Sequence, residues 1–421
     1  MPMSSDSTAR AETVISRCQT LARFSEDVGS TRRTFLSPPM RDCHREIATW
    51  LSPLAVSVTI DAAGNLRGLY PANHPNAPRL LIGSHLDTVP NAGAYDGILG
   101  VVLAIALLET LEGRRLPFGI EVIGFSEEEG VRFGVPFIGS RALVGRLDHE
   151  LLSRRDVHGV SIREAIQNFG LNADQVPAAT LKDDVLGYVE FHIEQGPVLG
   201  NLGRSLGVVE AIAGQSRVEL SFAGSANHAG TTPMHLRRDA LAAAAEWIID
   251  VERAALSISD LVATVGFVGA KPGAVNVIAG EALATLDVRH GSDNVRTEAL
   301  SDLIARAEQI AKRRGLSVKT NALLSQRAVA MDTFLADRIE DAIRKAGCEP
   351  HRMVSGAGHD AMIVAEKVPA AMIFLRTPGG ISHDPAESVL IEDVAKAIDC
   401  GVHLLAQLAS SQETLGRMCR A

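Results

Sequence analysis

The chain has 421 residues, of which 46% are hydrophobic and 22% are charged, and this composition is typical of a folded globular protein. Its 41 basic and 50 acidic side chains give a formal net charge of −9, which argues against binding to nucleic acid or to a membrane. The longest apolar runs are shorter than the roughly 20 residues that a membrane-spanning helix needs. A chain of this length is expected to form about two to three domains, or one large domain with an insertion.

The amino-terminal stretch and the cysteines indicate a cytoplasmic protein. The first residues contain no apolar core of signal-peptide length, and their acidic side chains disfavour a transit peptide. The five cysteines are widely spaced and form no CxxC pair, so we expect a reducing compartment rather than a disulfide framework. They are Cys18, Cys43, Cys348, Cys400 and Cys419.

The first half of the chain alternates strands with helices. Apolar runs predict strands at Arg79–Gly83, Ile120–Phe125 and Tyr188–Ile193, and a longer apolar stretch predicts a helix over Gly97–Glu112. Strands separated by helices predict an α/β fold with a mostly parallel sheet that is covered on both faces. We therefore expect the chemistry on the loops that leave the carboxyl ends of these strands.

The middle of the chain has a different pattern, which predicts the β-α-β-β-α-β order of a ferredoxin-like unit. Its elements are Arg217–Phe222, Asp239–Ser257, Leu261–Gly269, Glu281–Arg289, Asn294–Arg314 and Ser317–Leu323. The α/β pattern resumes with a helix over Thr333–Ala346, a strand over Ala370–Leu375 and a helix over Ile391–Ala409. We therefore predict one α/β domain in two parts, 1–213 and 329–421, interrupted by an inserted lid domain over 214–328.

The end of the first predicted strand carries two residues that suit a metal site. His85 and Asp87 stand two apart and so face the same side of a strand. His85 could bind a metal while Asp87 accepts the other ring N–H. Asp96 follows a glycine-containing loop and either caps the next helix or bridges two metals. Alone, an H-x-D motif is weak support for a metal site.

Three adjacent glutamates, Glu127–Glu129, follow the second strand within SEEEGVRF. Neighbouring carboxylates repel one another unless a cation or a proton is present. Most acidic runs are solvated loops, but here a buried strand precedes the run and a glycine follows it. One glutamate could bind a metal while its neighbour transfers a proton.

Two more histidines complete a possible ligand set. His192 lies on the strand FHI, and His383 lies in the glycine- and proline-framed loop GGISHDPAE. With His85, Asp96 and one glutamate they supply nitrogen and oxygen donors. Such a set suits zinc or manganese, and two ions can share a bridging carboxylate.

Other residues could bind a substrate. His228 lies in a loop of small residues, GSANHAGTTPM, which lets the backbone approach a ligand closely. Arg289 ends the segment TLDVRH and could clamp a carboxylate, although most arginines form surface ion pairs. The glycine-rich segment Ser355–Met362 could offer backbone N–H groups to an anion, or it could be a plain turn.

A competing motif occurs at Ser205, where GRSLG matches the G-x-S-x-G nucleophile elbow. That elbow needs a strand entering and a helix leaving, whereas this stretch is entered through a turn-like segment. We interpret it as a chance match. The sequence contains no P-loop, HExxH or G-x-G-x-x-G pattern.

Taken together, the motifs resemble the M20-type metallopeptidase superfamily, and within it the amidase branch. That branch contains allantoate amidohydrolases, N-carbamoyl-L-amino-acid hydrolases and β-ureidopropionases. The resemblance covers the chain from about Arg33 onwards and rests on five ordered motifs. These are GSHLDTVPNAGAYDG, EEEGVRF, FHIEQGPVL, GSANHAGTTPM and GGISHDPAE.

The resemblance implies a two-metal centre in which Asp96 is the bridging ligand. The implied ligands are His85, Asp96, Glu129, His192 and His383. It further implies that Glu128 is the catalytic base and that Asp87 orients His85. In the alternative register, Glu127 is the base and Glu128 is the metal ligand. His228, Asn276 and Arg289 resemble residues that bind the reacting carbonyl and the substrate carboxylate. Assisting residues would be Gln195, Gly356, Ala357 and Gly358.

The implied activity is metal-dependent hydrolysis of the ureido C–N bond of a small carboxylate substrate. Three segments, Arg33–Pro39, SEEEGVRF and SGAGHDAM, look most like allantoate amidohydrolases. The alternatives are an N-carbamoyl-L-amino-acid hydrolase or β-ureidopropionase, a peptidase or deacylase, and a non-catalytic binding protein. The resemblance also implies a homodimer formed through the lid domain.

Overall fold

The computed structural model describes residues 5–182 and 184–410, so that Cys419 lies outside the described residues. The chain divides into two compact units. The first unit is formed by the chain up to Glu210, by Met331–Met353 and by the chain from Gly358. The second unit consists of Ala211–Ala330 and Val354–Ala357.

The described residues form fifteen strands and twelve α-helices. The strands are β1 (Ser57–Ile60), β2 (Leu66–Tyr70), β3 (Arg79–His85), β4 (Gly119–Phe125), β5 (Val185–Ile193), β6 (Leu206–Ile212), β7 (Gly214–Ala223), β8 (Asn227–His228), β9 (Val262–Lys271), β10 (Val277–Ile278), β11 (Glu281–His290), β12 (Ser317–Gln326), β13 (Val329–Ala330), β14 (Arg352–Ser355) and β15 (Ala370–Leu375). The helices are α1 (Ser5–Ala22), α2 (Pro38–Leu51), α3 (Ile98–Thr110), α4 (Ile138–Leu143), α5 (His149–Leu152), α6 (Ile162–Asn168), α7 (Val198–Leu202), α8 (Ala240–Ser257), α9 (Asp293–Arg313), α10 (Thr333–Lys345), α11 (Asp360–Val364) and α12 (Ile391–Ser410).

The first unit is built on a mixed sheet with a parallel centre. The strand order is β1-β2-β4-β3-β5-β15-β6. Strands β4, β3, β5 and β15 run parallel to one another, whereas β1, β2 and β6 pair in the antiparallel sense. The predicted α/β fold with a mostly parallel central sheet is therefore confirmed.

Helix α3 forms the centre of the first unit's core. Every residue from Ile98 to Leu108 is buried, and the helix has no polar face. A helix that is apolar all round must be covered on all sides, and α3 contacts β3, β5, α1 and α12. This packing fixes the loop that precedes α3 against the carboxyl ends of β3 and β5.

The second unit is an antiparallel sheet with two helices. The strand order is β12-β7-β11-β9, and α8 and α9 pack against it. Residues alternate between buried and less buried along β7 and β11, as expected for strands with one covered face. On the covered face Phe222 packs near the fully buried Trp247, whose indole N–H donates to the Leu303 carbonyl.

None of the helices among the described residues is both long enough and apolar enough to cross a membrane.

Candidate metal centre

Two buried histidines meet where neighbouring parallel strands end. His85 is the last residue of β3, His192 is the penultimate residue of β5, and both side chains are almost fully buried. Their Nε2 atoms lie 3.4 Å apart. A Cβ on Gly97, which has φ +68°, would come within 2.4 Å of the His85 ring. Only glycine therefore allows the start of α3 to approach His85 this closely.

Asp96 joins three imidazoles. Its Oδ1 lies 3.5 Å from His85 Nε2 and 3.2 Å from His192 Nε2. Its Oδ2 lies 3.2 Å from His383 Nε2. Gly97 rather than Asp96 occupies the N-cap position of α3, and no side chain caps this helix end. The helix-cap alternative for Asp96 is therefore excluded.

The three glutamates have different surroundings. Glu128 and Glu129 each place a carboxylate oxygen within 4.8 Å of a His85 nitrogen. A carboxylate oxygen of Glu129 also lies within 4.8 Å of an Asp96 oxygen and of a His383 nitrogen. Glu127 belongs to none of the possible metal-binding groups found among the described residues. Its buried carboxyl lies near the backbone N–H groups of Gly130 and Val131, but neither of its oxygens has a hydrogen-bond partner among the described residues.

Asp87 supports the centre in two ways. The His85 Nδ1 atom lies 3.0 Å from the Asp87 carbonyl oxygen and 3.5 Å from its carboxylate. The backbone is thus the closer acceptor for the His85 ring N–H. The Asp87 carboxylate accepts the N–H groups of Glu128 at 2.9 Å and Glu129 at 3.1 Å. Asp87 therefore holds the glutamate loop against the end of β3.

The donors fit two divalent cations. Two groups of possible ligands, one with His85 and His192 and one with Glu129 and His383, share Asp96. Asp96 Oδ1 is buried and has no hydrogen-bond partner among the described residues, although two imidazoles lie within 3.5 Å. Donor atoms that converge without bonding to one another are arranged as they would be around a cation. Nitrogen and oxygen donors of this kind suit zinc or manganese.

The surroundings of three carboxyl groups at the site shift their pKa values. Burial opposes ionisation of Asp96, but the imidazoles of His192, His383 and His85 around its carboxylate outweigh burial and hold its pKa well below the usual range. Burial and repulsion from Asp96 raise the pKa of Glu129 to about 7. Burial likewise raises the pKa of Glu128 well above its usual value. A bound cation would relieve this repulsion between crowded carboxylates.

The sequence pattern did not reveal two residues that brace the centre. Glu387 accepts the backbone N–H groups of Tyr95 at 2.8 Å and Asp96 at 3.0 Å through one carboxylate oxygen, Oε1. His359 is buried, and its ring centroid lies 4.5 Å from that of His192. Both residues stand inside motifs that the sequence had singled out, but nothing in those motifs indicates which residues they contact.

Gln195, predicted to assist in binding the substrate, contacts a proposed metal ligand instead. Its Nε2 donates to Asp96 Oδ2 at 2.9 Å, and its backbone has the unusual φ of +60°. It therefore reaches into the metal centre itself and shares Asp96 with Ser382, whose hydroxyl lies 3.2 Å from the same oxygen.

The remaining candidate residues lie mostly in the second unit. His228 and Asn276 are neighbours there: His228 pairs with Val277, and the Asn276 carbonyl accepts the Ala229 N–H at 2.9 Å. Arg289 donates Nε and Nη2 to the Asp287 carboxylate and Nη1 to the Gly356 carbonyl. Arg289 borders a cavity of about 680 Å³ on the sheet. Within the glycine-rich loop, the Ala357 N–H donates to the Ser355 hydroxyl.

Ser205 has the wrong setting for a nucleophile elbow. The segment is entered from α7, which ends at Leu202, and leads into β6, which begins at Leu206. This order of helix and strand is the reverse of the order that the elbow requires. The interpretation of G-x-S-x-G as a chance match is consistent with this geometry.

Comparison with known proteins places these features in context. The sequence model of peptidase family M20/M25/M40 matches residues 81–407. A Geobacillus stearothermophilus protein named N-carbamoyl-L-amino acid amidohydrolase is 40% identical over 387 residues, covering 91% of this chain and 94% of that protein. An Arabidopsis thaliana protein named allantoate deiminase is 38% identical over 417 residues, covering 91% of this chain and 79% of that protein.

Solved structures agree with the sequence comparison. The crystal structure of an amidase of the hydantoinase/carbamoylase family from Burkholderia multivorans matches with a TM-score of 0.88 and 30% identity. The match covers 97% of this chain and 98% of that structure. The resemblance to the amidase branch is thereby confirmed, and the relatives' names agree with the predicted class of C–N hydrolase.

Proposed function

The chain belongs to peptidase family M20/M25/M40, and we propose that it is a metal-dependent amidohydrolase that cleaves the ureido C–N bond of a carboxylate-bearing substrate. One observation carries this proposal. Two groups of nitrogen and oxygen donors, one of them fully buried, share Asp96, and a further carboxylate, Glu128, stands beside them. A ligand set with an adjacent base is the arrangement that metal-assisted hydrolysis requires.

The proposed metal ligands are those predicted from the sequence. His85 and His192 would hold one of two divalent ions, Glu129 and His383 would hold the other, and Asp96 would be shared by both. Bound there, zinc or manganese would polarise the substrate carbonyl and lower the pKa of a water molecule.

Glu128 is the proposed general base. It is 8% exposed and lies beside His85 and Glu129, and Asp87 holds its backbone in place. From this position its carboxylate would take a proton from the attacking water and pass it to the leaving nitrogen. Burial raises its pKa, so the carboxyl can also carry the proton between these two steps.

The second unit would bind the substrate. Asp287 occupies one edge of the Arg289 guanidinium, and Gly356 takes one further N–H. One donor each on Nη1 and Nη2 therefore stays available, and together they can bind a carboxylate in bidentate fashion. His228 and Asn276 are proposed to bind the reacting carbonyl, with the segment Gly356–Gly358 assisting.

Allantoate is the substrate that we propose first, with N-carbamoyl-L-amino acids or β-ureidopropionate as the alternative. The segments Arg33–Pro39 and Ser355–Met362 favour allantoate, whereas relatives with either name are similar to nearly the same degree. A screen for ammonia release would decide between them. Metal-stripped protein would be given manganese or zinc and each substrate class in turn, and release from none of them would overturn the proposal.

We further propose that the second unit, approximately residues 214–328, is the lid and dimerisation domain of a homodimer, with residues 1–213 and 329–421 forming the catalytic domain. Strand β9 is an edge of its sheet, and Val262, Phe267 and Val268 on it are about half exposed. An apolar edge strand is suited to pairing with a second copy. Light scattering should give twice the chain mass. A cytoplasmic location stays a prediction from the sequence.

A further inference from the structure

Arg33 is a fully buried cation with an exposed fraction of 0%. Among the described residues it forms no ion pair with a carboxylate, and its Nη2 has no hydrogen-bond partner. Burying a charge without a counter-ion is costly. A residue in such a position needs compensating contacts, and those contacts show what it does.

The guanidinium joins two backbone segments. Nη1 donates to the carbonyls of Leu21 at 2.7 Å and Phe24 at 2.8 Å, at the carboxyl end of α1. Nε donates to the Leu86 carbonyl at 2.7 Å. The end of a helix offers unpaired carbonyls and a partial negative charge, which is why the cation is tolerated there without an acidic partner.

The Arg33 backbone holds the same loop. Its N–H donates to the Thr88 hydroxyl at 2.9 Å, and its carbonyl accepts the Thr88 N–H at 2.9 Å. Three hydrogen bonds of Arg33 therefore fix residues 86–88. This short segment follows His85 directly and contains Asp87, whose carboxylate holds Glu128 and Glu129 by their backbone N–H groups.

We propose that Arg33 is a positioning residue for the metal centre, fixing His85, Asp87 and the glutamate loop against α1; this role rests on the proposed function. The path is continuous: Arg33 holds Leu86 and Thr88, and Asp87 between them holds the two glutamates. Loss of the guanidinium would take one donor from each of the Leu21, Phe24 and Leu86 carbonyls and leave only the two backbone hydrogen bonds of Arg33 to hold the 86–88 segment. Residues that orient metal ligands in this indirect way typically affect metal affinity by ten- to a hundredfold.

The test measures Mn²⁺ affinity of the full-length, metal-stripped protein by chelator competition, because that readout needs no knowledge of the substrate. We expect Arg33→Met to weaken Mn²⁺ binding at least about tenfold, and Arg33→Lys to recover part of the loss because an ammonium can still donate to carbonyls. Arg32→Met is the matched control. Arg32 is partly exposed and paired with Asp27, and its replacement should leave Mn²⁺ affinity unchanged within twofold.

Thr88→Val provides a second variant if Arg33→Met does not fold. It keeps the side-chain shape, removes the hydroxyl that accepts the Arg33 N–H, and should weaken Mn²⁺ binding at least about threefold. At saturating Mn²⁺, both variants should lower turnover while KM stays within twofold, because neither residue is proposed to touch the substrate.

Two outcomes would overturn the proposal in different ways. If the folded variants melt at lower temperature but bind Mn²⁺ with less than a threefold change, Arg33 only stabilises the fold. If the wild-type protein itself binds neither Mn²⁺ nor Zn²⁺, the metal centre is wrong, and the role of Arg33 is lost with it.

Discussion

Glu128 and Glu129 are neighbours in the chain, but their carboxylates meet different partners. Glu129 Oε1 lies 3.6 Å from His383 Nε2, whereas Glu128 shares a group only with His85 and Glu129. We expect Glu128→Gln to keep its bound metal and to lose at least about a hundredfold in turnover, the usual scale for a general base. Metal content measured by elemental analysis and kcat at saturating substrate provide the check.

The register of the three glutamates can be tested with the same measurements. Glu129→Gln should lower metal content, whereas Glu127→Gln, whose carboxyl faces its own loop backbone, should keep the metal. The three substitutions are isosteric, so Glu127→Gln is a matched control for the other two. Metal loss in Glu128→Gln rather than in Glu129→Gln would move both roles one residue towards the amino terminus.

We expect the acceptor oxygen of Glu387 to matter more for metal binding than its negative charge. Both N–H groups, from Tyr95 and Asp96, go to Oε1, and glutamine keeps such an oxygen. We therefore expect Glu387→Gln to retain metal affinity within threefold and the similarly sized Glu387→Met to lose about tenfold or more. Equal loss in both variants would instead indicate that the Glu387 charge acts directly on the metal.

At the level of single elements, the pattern of β11 explains how Arg289 is oriented. Residues two apart on a strand share a face, so Asp287 and Arg289 lie side by side and form two hydrogen bonds. Loss of this pairing would leave the guanidinium free to rotate. We expect Asp287→Asn to raise KM for carboxylate substrates about fivefold to tenfold with kcat little changed.

Glu281→Gln is the matched control for this prediction. Glu281 lies at the other end of β11 and is paired with Lys271 on the surface, so its loss should leave KM unchanged. Steady-state kinetics with the preferred ureido substrate would measure both variants. An unchanged KM in Asp287→Asn would show that Asp287 does not prepare Arg289 for the substrate.

The elements that the sequence predicted well are those with a strong local pattern. Buried strands such as β3 and β4 and the apolar helix α3 can be recognised from their composition alone. Helices α1 and α2 were missed, although Ser37 and Pro38 at the start of α2 are a common helix-start signal. Helices α4, α5 and α6 have four to seven residues, too few for a helical period to show.

The predicted site residues had a different kind of signal. The candidate ligands of the first unit follow strands or loops with a recognisable motif, and the structure brings those side chains together. Glu387 and Arg33 act through backbone groups that are distant in the sequence, such as Asp96, 291 residues from Glu387. No local pattern reports contacts of that kind, and only the folded chain reveals them.

On the scale of the whole molecule, the first unit concentrates buried carboxylates at one end of its sheet. Asp87, Asp96, Glu127 and Glu128 are each at most 8% exposed, and the bases nearest to Asp96 are imidazoles rather than arginines or lysines. Without a bound cation, this crowding raises the free energy of the folded state. Stripping the metal should therefore destabilise the protein.

We expect the metal-stripped protein to melt about 5 °C or more below the Mn²⁺-loaded protein, because a ligand that binds only the native state stabilises it by mass action. Scanning calorimetry with and without chelator provides the measurement. The control is His383→Ala, which removes a half-exposed proposed ligand with little loss of packing, and it should reduce the shift caused by Mn²⁺. If Mn²⁺ and Zn²⁺ leave the melting temperature of the stripped wild type unchanged, these carboxylates do not form a metal centre. The raised pKa values of Glu127 and Glu128, caused mainly by burial, would then be the means by which the fold accommodates these two carboxyls.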